Sequence, residues 1–62
     1  MNRPAVKLVG QDGNAFNILG ICRRAAVNDG WSSEEITTFM DEAMSGDYDH
    51  LLRTAMKYFD VQ

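Results

Sequence analysis

The chain has 62 residues, a formal net charge of −3 and a pI near 4.7. Acids outnumber bases, nine to six. This disfavours nucleic acid as a partner, because affinity for phosphates rests on clustered lysine and arginine that release counterions. A single cysteine excludes an intramolecular disulfide. A hydrophobic content of 45% is ample for a core and argues against a disordered tail.

A chain this short buries only about 60% of the surface its unfolded form exposes, so its stability is expected to be marginal. No Cys/His grouping has zinc spacing, which leaves self-association into a homo-oligomer as the remaining common support. No apolar segment approaches the ~20 residues needed to span a bilayer, and no charged stretch precedes an apolar run at the N-terminus. The expectation is a cytoplasmic protein, not a membrane one, with residues 1–62 forming a single small helical domain.

Residues 5–9 are short and β-branched enough for a strand, but a lone strand leaves its backbone groups unpaired. Pairing requires the tail at residues 59–62 or an edge in a second subunit; otherwise there is no strand. The following run, Leu8-Val9-Gly10-Gln11-Asp12-Gly13-Asn14-Ala15-Phe16, leads through two glycines into a helix start and invites a phosphate-cradle reading. A phosphate-binding loop needs a lysine and a hydroxyl that are missing here, and Asp12 opposes an anion. The run reads instead as a turn that delivers the chain to an Asn14 cap. An alternative makes Asp12-Gly13 a hairpin turn with residues 14–19 as the returning strand.

Residues 15–29 favour the helix, since Phe16, Ile18, Leu19, Cys22, Ala25, Ala26 and Val27 fall on one broad arc at about 100° per residue. Gly30 is placed to end it in a left-handed conformation. Gly20 costs about 1 kcal/mol relative to alanine in mid-helix, and suggests a close approach of another backbone.

The second helix carries the clearest start signal. Ser32 and Glu35 form a capping-box pattern, with Trp31 and Ile36 at hydrophobic-staple positions. Ile36, Phe39, Met40, Ala43 and Met44 line one face; Glu34, Glu35, Thr38, Asp41 and Glu42 occupy the other, and Ser45-Gly46 ends the helix.

Asp47 is the natural cap of a third helix. Tyr48, Leu51, Leu52, Ala55, Met56, Tyr58 and Phe59 form its apolar side, and Asp49, His50, Arg53 and Lys57 its wet one. Asp49 and Arg53 are spaced for an i,i+4 ion pair. The fold expectation is mainly α, a compact three-helix bundle with a short N-terminal extended segment or strand.

Few residue groups are suited to chemistry. Asp47, Asp49 and His50 are close in sequence, but helical geometry separates them and there is no second histidine, so metal ligation is not expected. Cys22 falls on the buried arc, away from the only histidine, which argues against a thiol nucleophile. No cofactor and no enzyme activity are expected. Glu34, Glu35, Asp41 and Glu42 concentrate negative charge on one exposed helix face, and this is the candidate protein-binding surface, suited to a basic partner.

The runs at residues 7–20 (KLVGQDGNAFNILG) and 45–56 (SGDYDHLLRTAM), with Gly30-Trp31 between them, resemble a family of small uncharacterised proteins of bacterial and phage genomes. That resemblance spans nearly the whole chain. It implies a stand-alone small intracellular protein, with no activity or catalytic residues attached. The order helix, Gly30-Trp31-Ser32, helix, Ser45-Gly46-Asp47, helix is similar in plan to ubiquitin-associated domains, in which peptides or proteins are bound by the first loop and third helix. The N-terminal segment and long first helix depart from that plan, and shared topology does not transfer function. The functional expectation is a non-enzymatic protein-interaction module, a small regulator or inhibitor. The alternative is a small nucleic-acid-binding protein with a helix-turn-helix-like pair and the cations Arg3, Lys7, Arg23 and Arg24.

Overall fold

A parallel pair of two-residue strands ties the two ends of the described chain together across three helices. The computed structural model describes residues 3–62. In chain order the elements are β1 (Ala5–Val6), α1 (Ala15–Asn28), α2 (Ser33–Ala43), α3 (Tyr48–Tyr58) and β2 (Asp60–Val61). Ala5 pairs with Asp60 and Val6 with Val61. A parallel pair needs a long crossover, which the three helices supply.

The tail is therefore the partner that residues 5–9 require. Asp60 N–H donates to the Pro4 carbonyl and Gln62 N–H to that of Val6, while the Gln62 carbonyl accepts from both Leu8 and Val9. Val6 carries the strand into the core, where it is buried with Ile18, Leu19, Cys22, Phe39, Leu51 and Phe59.

Each helix starts at the residue its cap chemistry specifies. Asn14 accepts from Phe16 N–H, and Asp47 accepts from His50 N–H. Ser32 and Glu35 form the complete reciprocal capping box. At the end of α1, Gly30 has φ +85°, Trp31 N–H reaches the Ala26 carbonyl, and Gly30 N–H reaches that of Val27. These are the two bonds of a Schellman ending.

The expected turn before the Asn14 cap is present, and it lies ahead of the Asp12-Gly13 pair on which the hairpin alternative rested. Gln11 N–H donates to the Leu8 carbonyl and Gly10 takes φ +81°, so Val9-Gly10 forms the turn. Asp12 instead accepts from Asn14 N–H, and residues 15–28 are helical, which removes the hairpin alternative.

Trp31, Phe39, Tyr58 and Phe59 form the aromatic half of the core. Trp31 stacks on Phe59 at 5.1 Å between centroids, and Phe39 meets Phe59 edge-on at 5.1 Å and Tyr58 at 5.4 Å. Trp31 is thus an anchor that locks the α1–α2 turn onto the end of α3.

Some expected core positions are not buried. Phe16 is 82% exposed and Val27 50%, because an arc as wide as that of α1 exceeds what a single α2–α3 layer and β1 can cover. Tyr48 and Met56 on α3 are also exposed. His50, expected on the wet side, is half-buried between α2 and α3, and neighbouring Thr54 is buried. Asp49 and Arg53 do not pair; the ion pair found among the described residues is Lys57 with Glu42. No helix among the described residues is long and apolar enough to cross a membrane.

Candidate interaction surface

The four carboxylates of the candidate site all lie on α2, but the fold uses them differently. Glu35 serves the cap: its Oε1 accepts from Ser32 N–H at 2.8 Å, and this bond holds its carboxyl below the usual value of 4.5. Glu42 bridges to α3. Its Oε2 accepts from Lys57 Nζ at 2.9 Å and its Oε1 from the Tyr58 hydroxyl at 2.8 Å. Those two bonds depress the Glu42 carboxyl, and they raise both the Lys57 ammonium and the Tyr58 phenol.

Glu34 and Asp41 face outward. Both are exposed, and neither has an ion-pair partner among the described residues. At seven residues apart they stand on one side of α2, about 10 Å apart along the axis. Glu35 and Glu42, also seven apart, share another side of the helix, where Glu35 turns back to Ser32 and Glu42 reaches α3. The helical period therefore divides the acidic face into an outward pair and a structural pair.

The α2–α3 junction holds the histidine by its surroundings. His50 Nε2 donates to the Glu42 carbonyl at 2.8 Å, and the Ser45 hydroxyl donates to the same carbonyl at 2.7 Å. The same carbonyl accepts from Ser45 N–H at 3.2 Å, so two side-chain donors reinforce a backbone bond at the end of α2. Thr54 Oγ1 donates back to the His50 carbonyl at 2.8 Å. The glycine before the third cap is needed sterically: a Cβ at Gly46 would lie 2.8 Å from both Cβ and Cγ of His50. Of the three residues, Asp47 caps α3, His50 packs between α2 and α3, and Asp49 is exposed. Among the described residues no group of three or more metal-ligating side chains converges.

Cys22 is fully buried, and burial pushes its thiol up to about 11. A nucleophile needs the opposite shift. Before α1 the Asp12 and Asn14 side chains take the N–H groups of Asn14 and Phe16, so two amides of this segment are engaged by a carboxylate and a cap.

Sequence reasoning missed an apolar surface beside α2. Phe16, Met44 and Tyr48 surround a cleft of about 280 Å³ whose floor includes Leu19, Ala43 and Leu51. Asp47 is the only charged residue lining it. The Tyr48 hydroxyl crosses to the Gly13 carbonyl at 2.6 Å, closing one end. A signal was present: Phe16 stands at the edge of the α1 arc, where a bulky residue protrudes unless a neighbour covers it. On the opposite side of α1, Lys7 and Arg24 line one shallow cleft with Gln11 and Asn28.

Fold and surface together define a small three-helix domain closed by a parallel strand pair. No protein-family model, no curated protein and no solved structure matches the chain.

Proposed function

We propose that the protein is a non-enzymatic protein-interaction module, a small regulator or inhibitor whose acidic α2 face engages a basic protein surface. The observation that carries this reading is charge segregation. Of the nine carboxylates eight lie after residue 28, against two of the six cations. One of those two cations, Lys57, is already held by Glu42. Glu34 and Asp41 are the centre of the contact, and Glu35 and Glu42 form its edge with their charges fixed by local bonds. A rigid, pre-formed acidic face steers a basic partner and limits the ordering that binding must impose.

Affinity capture from the native cells tests this. A partner retained at low salt, released as salt rises, and lost with Glu34→Lys plus Asp41→Lys is the expected result. Capture indifferent to both changes would overturn the reading. These two positions serve better than Glu35 and Glu42, whose substitution also removes a cap or an inter-helix bridge.

The nucleic-acid reading has one observation in its favour: Lys7 and Arg24 share a cleft flanked by two amides. A salt-sensitive gel shift at micromolar protein, lost with Lys7→Glu, is what that reading requires. No shift at low salt would remove it.

A further inference from the structure

Along a strand the backbone groups of successive residues point alternately to its two edges. Pro4, Val6 and Leu8 turn theirs to β2: the Pro4 and Val6 carbonyls accept from Asp60 and Gln62 N–H, and Leu8 N–H donates to the Gln62 carbonyl. The N–H and carbonyl groups of Ala5 and Lys7 therefore point to the other edge, and among the described residues none of them has a bonding partner. Both residues are exposed. An open strand edge is a template for one more strand.

That edge is one wall of the cleft, about 320 Å³ in volume, that Lys7 and Arg24 share. Residues of α1 from Ile21 to Asn28 form the facing wall. Seven residues of helix rise about 10 Å, the length of about three residues of extended chain. Ile21 and Ala25 are half-buried, so an apolar side chain on the inner side of an added strand would meet an apolar floor.

We propose that this groove binds an extended acidic segment of another protein, added to β1 as a third strand. Backbone bonds to Ala5 and Lys7 hold the segment, and its alternate side chains reach the floor and the flanking cations. Charge selects the occupant. Lys7 and Arg24 are exposed, neither has an ion-pair partner among the described residues, and no carboxylate lines the groove. The neighbouring carboxylates are engaged elsewhere: Asp12 accepts from Asn14 N–H, Asp29 from Trp31 Nε1, and Asp60, on the far strand, from Gln62 Nε2. A second copy is a poor occupant, since pairing edge to edge about a two-fold axis would gather the Lys7 and Arg24 of two copies along one seam. A nucleic acid would satisfy the cations, but its phosphates are acceptors only and cannot answer the Ala5 and Lys7 carbonyls. The groove is separate from Glu34 and Asp41, so this inference stands or falls independently of the acidic-face reading.

Titration of isotope-labelled protein with a capped hexapeptide that alternates glutamate and valine tests it. Amide shifts centred on residues 5–7 and 21–28 should saturate below about 1 mM, with hydrogen exchange slowed at Ala5 and Lys7 N–H. Lys7→Glu combined with Arg24→Glu should weaken binding on the order of tenfold or more, with helicity by circular dichroism unchanged. Raising salt should weaken binding to the wild type as well. Two further peptides, N-methylated at the glutamates or at the valines, separate strand addition from charge alone, because only one set of amides faces β1. One of the two should bind on the order of tenfold more weakly than the other. Equal binding of the two would overturn the proposal, as would residues 5–7 and 21–28 unmoved at about 1 mM peptide. So would tighter binding at these residues by a short oligothymidylate than by the unmethylated peptide.

Discussion

Two glycines without positive φ should respond to alanine in opposite directions. At Gly20 an added methyl meets nothing within 4 Å, so Gly20→Ala gains helix propensity and loses unfolded-chain entropy without a steric penalty. The expected gain is about 0.5–1 kcal/mol. At Gly46 the methyl would sit 2.8 Å from His50 Cβ, an atom fixed to the backbone of α3. The α2–α3 turn must then open, at about 1–3 kcal/mol for overpacking of this kind. Because the Cβ remains in alanine, His50→Ala should leave most of the Gly46→Ala penalty in place. In a domain this size each kcal/mol moves Tm by about 4–8 °C. Thermal melts and urea titrations of dilute protein should therefore place Gly20→Ala above wild type and Gly46→Ala clearly below it. A neutral or stabilising Gly46→Ala, or a penalty abolished by His50→Ala, would refute the steric argument.

Three further outcomes follow from the geometry. Phe39 is fully buried against Trp31, Tyr58 and Phe59, so Phe39→Ala should cost about 3–5 kcal/mol. Total stability at 0.05–0.15 kcal/mol per residue is only about 3–9 kcal/mol, and urea titration should find most of it gone. The carboxyls of Glu35 and Glu42 are depressed below 4.5 on folding, so their contribution is complete above that value and is lost as pH falls through the folded values. An acid titration followed by circular dichroism should show stability declining there, less steeply in Glu42→Gln. Cys22, buried with its thiol near 11, should react with a thiol reagent at pH 8 only as fast as the fold opens, so labelling should accelerate in step with destabilising variants.

The parts of this fold legible in the sequence are those set by local chemistry. Asn14, Ser32 and Asp47 each accept the backbone bond their side chains are suited to, and Gly30 ends α1 because only a left-handed residue permits the reversal. What periodicity could not resolve was how much of each apolar arc the neighbours cover. Phe16 and Val27 share the arc of Leu19 and Cys22, yet only the latter pair faces another element. The partner of residues 5–9 was one of three alternatives, since two-residue pairing is decided by where α3 delivers Phe59, and that is set by tertiary packing. The acidic face was legible as a cluster, but its division was not: the bonds of Glu42 to Lys57 and Tyr58 span fifteen and sixteen residues.

The central claim, that α2 is the contact surface for a basic partner, is tested most directly by amide chemical shifts. The captured partner would be titrated into isotope-labelled protein at low and high salt. The account predicts perturbations centred on residues 34–41 that collapse as salt rises. Perturbations confined to the Lys7–Arg24 cleft, with residues 34–41 unmoved, would contradict it.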